Sequence, residues 1–255
     1  MRIARFLSLC LLVAATVALM PARDAFAGPG DDLLKKVEDA SSPAKDSTGN
    51  MEMVLIESNG KEKKRKLKMM QMQHKPSDYR LLRFLSPAEV KGVAFLSKSD
   101  TEMYLYMPAF KKIRRIASSA KNENFMGTDF SYDDIGNTSY TDDYTAKIVS
   151  KDKDVTVLEL TPKHPGENDY SKLVMTVDNT NYIPREIKFF NKAQKLWKVM
   201  TNDKVEKISG YWTPTAITMK DLKKNHATKM YMKDIKFDVG LGKRDFSKRK
   251  LKRSH

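Results

Sequence analysis

From Met51 to Phe237 apolar and polar residues alternate with a period of two, and short polar turns break the alternation at intervals. That rhythm predicts strands, because successive side chains on a strand point to opposite faces. The predicted strands are Met51–Ile56, Lys64–Gln73, Tyr79–Leu85, Gly92–Ser97, Glu102–Met107, Thr145–Ser150, Val155–Thr161, Lys172–Asp178, Ile183–Phe190, Leu196–Lys207, Tyr211–Leu222 and Thr228–Phe237. Tight turns separate them, among them Asn59-Gly60, Asp152-Lys153, Asn191-Lys192 and Ser209-Gly210, so neighbours in sequence are expected to pair antiparallel. A different period marks one helix, Asp31–Ser42, with Leu33, Leu34, Val37 and Ala40 on one face and Pro43 at its end. The expected class is mainly β, a strongly curved antiparallel sheet of about 10–11 strands. A sheet that wide must curl, split or close on itself.

Several strands are apolar on both faces. Met51, Met53 and Leu55 alternate with Val54 and Ile56; Leu67 and Met69 alternate with Met70 and Met72. Met103 and Leu105 share a face, Met175 lies between Val174 and Thr176, and Met230 and Met232 bracket Tyr231. One face of a sheet makes a core; a second apolar face needs a helix, another sheet or a ligand. Two readings fit the methionines: filler of an ordinary core, or a pliable wall for chains of variable shape. On the second reading Met51, Met53, Leu55, Leu67, Met69, Met103, Leu105, Met175, Met230 and Met232 line an acyl cavity. Burying a chain of about 16 carbons gains roughly 12 kcal/mol before ordering costs, at about 0.8 kcal/mol per methylene.

The run Met107–Asp134, MPAFKKIRRIASSAKNENFMGTDFSYDD, departs from the rhythm. Lys111, Lys112, Arg114 and Arg115 crowd around Ile113, and beyond Ser119 come Phe125, Met126, Phe130 and Tyr132 around Gly127. Either this loop pins its aromatics into the core, or it is a mobile flap over an apolar cavity. Arg114 and Arg115 are candidates for a latch to Asp129, Asp133 and Asp134, for contact with a lipid phosphate, or for solvated surface charges. The string Tyr106, Pro108, Arg114-Arg115-Ile116, then Phe125-Met126-Gly127-Thr128-Asp129-Phe130-Ser131-Tyr132-Asp133-Asp134 resembles the signature of the outer-membrane lipoprotein-sorting family, the LolA/LolB-like proteins, and in particular its RND-exporter-associated branch. The resemblance implies a half-open β-barrel with a short helical lid, carrying acyl chains of lipoproteins or other lipids. It also implies exchange with an inner-membrane transporter of RND or ABC type and with an outer-membrane acceptor.

The chain begins with Arg2 and Arg5, an apolar stretch from Phe6 to Met20, and Ala25-Phe26-Ala27, the pattern of a secretory signal peptide cut after Ala27. Cys10 falls inside it, so the remainder has no thiol, and the expected address is the periplasm. Residues 28–242 form one expected lipid-binding domain, and 243–255 a basic tail, solvated or briefly helical. Loss of Arg2, Arg5, Arg23 and Asp24 takes the net charge from +15 to +13, which favours anionic lipid or envelope polymer; export argues against nucleic acid. His74, His164, His226 and His255 are scattered without metal-ligand spacing, and no nucleophile elbow or phosphate loop occurs. The expectation is a monomeric, non-enzymatic carrier without metal or cofactor. The alternatives are a periplasmic adaptor that grips an exporter through its tail and, lower in rank, a lipid hydrolase.

Overall fold

The computed structural model describes residues 28–75, 77–136, 139–166 and 169–253. The expected signal peptide, with Cys10 and the cut after Ala27, lies outside the described residues, as do the last two residues of the tail. The predicted helix forms as α1 (Pro29–Ser41), with proline in its first turn and Asp31 and Asp32 at the positive end of its dipole. A run of strands follows: β1 (Asp46–Ile56), β2 (Glu62–Met72), β3 (Tyr79–Ser86), β4 (Ala94–Ser97), β5 (Met103–Met107) and β6 (Lys112–Ile116). A segment of irregular turns and two short helices, α2 (Tyr132–Gly136) and α3 (Tyr140–Asp143), then leads to a second run. It comprises β7 (Tyr144–Lys151), β8 (Val155–Pro162), β9 (Tyr170–Asp178), β10 (Pro184–Asn191), β11 (Leu196–Ile208), β12 (Tyr211–Asp221) and β13 (His226–Phe237).

All thirteen strands belong to one antiparallel, curved sheet, ordered β6-β5-β4-β3-β2-β1-β13-β12-β11-β10-β9-β8-β7. Each run is a meander, and the two join where β13 pairs with β1, Met53 opposite Met230. The sheet stays open between β6 and β7. The thirteen strands exceed the expected ten or eleven; twelve of them match the segments named from the alternation, and the thirteenth is β6, whose cations read as loop, yet Tyr104 pairs with Arg115 and Leu105 with Arg114. A charged strand at an edge is an ordinary way to stop further pairing.

The other edge, β7, is closed by α1. A Cβ on Gly30 would lie 2.2 Å from the Ala146 carbonyl oxygen, so only glycine lets the helix sit this close, and Asp31 Oδ1 accepts the Ala146 N–H at 2.7 Å. Leu34 and Val37 are fully buried from this helix. The concave face carries the main core, which includes Met53, Leu67, Phe84, Phe95, Leu158 and Met175.

The convex face of β3–β5 has a separate cover. A turn at Lys243–Phe246 and a short helix, α4 (Lys248–Lys252), lay Phe246 and Leu251 over Leu81, Leu96 and Tyr104, and both are fully buried. Arg83 donates to the carbonyl oxygens of Lys250 and Leu251 at 2.8 and 3.2 Å, satisfying the end of α4, and Lys248 Nζ lies 4.2 Å from the centre of the Tyr104 ring. The tail is therefore part of the fold through residue 253. Part of the two-sided apolar pattern that suggested a ligand is met by the chain's own end. Truncating Phe246 to Ala is expected to cost about 3–5 kcal/mol in chemical denaturation. An unchanged midpoint would show that the tail adds nothing to the folded state.

Candidate functional site

Because β6 and β7 do not pair, the segment joining them crosses the concave face and roofs it. Phe125 is the deepest insertion, fully buried, with ring centres 6.0 Å from Phe84, 5.4 Å from Phe95 and 5.4 Å from Tyr132. Directly after it the backbone is left-handed at Met126 (φ 49°) and Gly127 (φ 77°). A methionine there is held against its preference, and the holding group is Arg65 of β2, whose Nη1 donates to the Met126 carbonyl oxygen at 2.6 Å. Further along, Asp129 is 1% exposed. Its carboxylate accepts the Thr228 hydroxyl at 2.7 Å and meets His226 Nδ1 at 2.7 Å, while its N–H donates to Thr228 Oγ1 at 3.0 Å. The far end is fastened twice: Arg80 Nη1 of β3 donates to the Ile135 carbonyl oxygen at 2.8 Å, and Asp134 accepts the Tyr170 hydroxyl at 3.2 Å, with Lys198 Nζ 4.0 Å away.

Register explains why these anchors reach the flap. Side chains opposite each other on paired strands share a face. Arg65 stands opposite Met53, Arg80 opposite Gln71, Lys198 opposite Phe189, and Thr228 opposite Leu55 and Met219. Each is thus a polar residue on a core-facing position of its strand.

Between flap and sheet lies a hollow of about 200 Å³ walled by Met51, Met69, Leu82, Met200, Met230 and Met232, with Phe130 and Ile135 of the flap as its roof. Met69, Gln71, Ile217 and Met232 also line a second hollow of about 190 Å³, which reaches the rim at Ser42, Trp212 and Phe237. On the other side, a narrow recess of about 70 Å³ with a mixed lining shares Phe130, Asp134 and Met200 and is bounded by Tyr140, Tyr144 and Tyr170. A larger trough, about 710 Å³, lies between α1 and the β2–β3 connection, but Lys35, Asp39, His74 and Asp78 make it polar. Among the described residues no group of His, Cys, Asp and Glu is placed to hold a metal ion. No described helix is long and apolar enough to cross a membrane.

A family model described as an uncharacterized protein matches residues 76–253. An outer membrane lipoprotein-sorting protein domain from Vibrio parahaemolyticus superposes with a TM-score of 0.84 at 28% identity, over 89% of this chain and 100% of that one. The chain belongs to a LolA-like family. A DUF1329 family protein from Desulfovibrio piger is similar to the same degree, with a TM-score of 0.81 and 28% identity over 87% of this chain and 97% of that one. A LolA superfamily protein from Nitrosomonas europaea shares the fold, with a TM-score of 0.72 at 22% identity over 87% and 98% of the two chains. No curated protein matches.

In this LolA-like chain four of the ten expected wall residues, Met51, Met69, Met230 and Met232, line the inner hollow. The other six, Met53, Leu55, Leu67, Met103, Leu105 and Met175, are buried in the continuous core. Phe125, Phe130 and Tyr132 are buried flap residues, and Met126 and Gly127 form its left-handed turn. The structure does not bring Arg114 and Arg115 to Asp129. Both arginines are exposed on β6, Arg115 donates to the Thr101 carbonyl oxygen at 2.9 Å, and Asp129 is taken by His226 and Thr228. Arginines do grip the flap, but they are Arg65 and Arg80, and they hold carbonyl oxygens. A cation at a core-facing position of an alternating strand was the available signal for both.

Asp133 stands apart among the flap carboxylates. Its Oδ1 is buried without a hydrogen-bond partner among the described residues, and burial pushes its pKa up to about 7, against a smaller opposing pull from Lys121. Since the folded state keeps this proton well above the ordinary carboxylate range, the stabilisation it gives is complete below about pH 4 and lost as pH rises through about 7. Asp133→Asn should flatten that part of the profile, melting closer to the parent at pH 5 and above it at pH 8. Thermal unfolding of both proteins at the two pH values tests this, and parallel profiles would refute the assignment.

Proposed function

We propose that the protein is an exported periplasmic carrier that takes up an acyl chain of a lipoprotein or other lipid under the flap and releases it when the flap lifts. The observation that carries this reading is the methionine-walled hollow, which shares Met69, Gln71, Ile217 and Met232 as a common wall with the second hollow at the rim of the sheet. At about 200 Å³ the inner hollow is smaller than the roughly 300–1,000 Å³ of sites for drug-sized ligands. The closed form therefore accepts a long chain only if Phe130 and Ile135 withdraw. The flap suits such a motion: few polar bonds hold it, and the turn at Met126 is strained. Loading and delivery fall to membrane partners, an inner-membrane transporter of the RND or ABC type and an outer-membrane acceptor. The adaptor reading draws less support, because the tail it relies on has both of its apolar anchors buried in the fold.

Organic extraction of purified protein followed by mass spectrometry, with uptake of a fluorescent fatty acid, tests the carrier reading; a protein that yields no lipid and takes up no probe is not a carrier. Arg65→Ala, which frees the Met126 carbonyl, should speed probe uptake and release several-fold while costing about 1–3 kcal/mol. Arg115→Ala should leave both within about 0.5 kcal/mol of the parent. Equal uptake rates in all three proteins would mean that the flap does not gate the hollow.

A further inference from the structure

Three polar side chains line the otherwise apolar inner hollow: Gln71, Arg80 and Asp134. Their remaining bonding capacity differs. Asp134 Oδ2 accepts the Ser131 N–H at 2.8 Å and the Tyr170 hydroxyl at 3.2 Å, with the Lys198 ammonium 4.0 Å away, so its charge is met from within the fold. Gln71 Nε2 is directed to the rim, where it donates to Ser42 Oγ at 3.0 Å and Asp78 Oδ2 at 3.3 Å. Arg80 makes one hydrogen bond, to the Ile135 carbonyl oxygen, and no ion pair among the described residues. A guanidinium has five N–H donors, and burying this one lowers its pKa by more than the Asp78 carboxylate, beyond ion-pair reach, restores. What the hollow still offers is donor capacity and positive charge.

Arg80 also has a telling position. It is the second residue of β3, opposite Gln71 on one side and Ser97 on the other, and the Leu82–Met69 pair lies two residues further in. A group held by Arg80 thus sits beside the rim, with the methionine wall extending inward from it. The arrangement matches an amphiphile lying head to rim and tail inward.

We propose that Arg80 is the head-group site of the hollow and that its ligand is a single-chain lipid carboxylate, a free fatty acid. This rests on the carrier reading and narrows it. A carboxylate fits the guanidinium fork with two parallel hydrogen bonds, whereas an ester offers only single neutral acceptors. The volume also favours one chain with a small head over a diacyl lipid with a phosphodiester head.

The test compares dodecanoate, its methyl ester and dodecyl phosphate by displacement of a neutral fluorescent lipid from the intact protein. Dodecanoate should bind about tenfold or more tightly than the ester, as expected for a charge-assisted bond out of water. Arg80→Gln should bring acid and ester together, and Arg80→Lys should keep part of the preference. The ratio matters because loosening the flap at Ile135 would shift both ligands alike. Equal binding of acid and ester in the parent, or a preference that survives Arg80→Gln, would overturn the head-group site while leaving the carrier intact. Tighter binding of dodecyl phosphate than of dodecanoate would overturn the choice of carboxylate. Binding of none of the three, with no displacement of the probe, would end the carrier reading as well.

Discussion

A sheet of thirteen antiparallel strands that curves without closing leaves an apolar inner face that water must not reach, and everything else in this molecule answers that demand. The chain meets it by running from one open edge to the other across the concavity, so the segment that bridges the gap between β6 and β7 is also the roof. Its aromatic residues bury as core, while its backbone bonds largely to itself, as in Phe125 to Phe130 and Tyr132 to Glu123, and is tied to the sheet by side chains reaching inward from β2, β3 and β13. The result is a cover held by a handful of polar bonds over a surface that would otherwise demand continuous packing.

That balance separates the two faces of the sheet. On the convex side, β3–β5 are covered by Phe246 and Leu251, and Arg83 ties the end of α4 to the sheet by two bonds. On the concave side, the cover keeps an unfilled volume beneath it and carries a methionine in a left-handed turn. Tight packing without voids is the norm in protein interiors, and a cavity under a cover that also holds a strained turn is a departure from it. A cover that must open is where such a departure belongs. The polar groups beneath the flap add direction: Tyr170 donates a hydrogen bond to Asp134 with the Lys198 ammonium nearby, whereas Arg80 makes a single hydrogen bond among the described residues.

The strand rhythm, the N-terminal helix and the tight turns were all legible from residue spacing. The wall methionines were also legible as a set, although spacing cannot divide those that pack from those that leave space. Two features escaped for opposite reasons. β6 was hidden because four cations in five residues look like solvated loop, yet an edge strand needs hydrogen bonds on one side only and tolerates charge on both faces. Arg65 and Arg80 were passed over because each occupies a place in an alternating pattern where a core residue is expected. Arg114 and Arg115 are close in sequence to the aspartates, but on β6 both are exposed and Asp129 is bonded to His226 and Thr228 instead.

Alternation and turn chemistry were enough to determine that this chain makes one curved antiparallel sheet, because those signals are local and repeat strand after strand, and the run from Phe125 to Asp134 carried the family resemblance. Which face each end of the chain covers, which arginines hold the flap, and where empty volume survives were decided by tertiary structure alone. Those outcomes turn on pairings such as β13 with β1 and contacts such as Asp129 with Thr228, 99 residues apart, and no local pattern encodes the meeting of such distant segments.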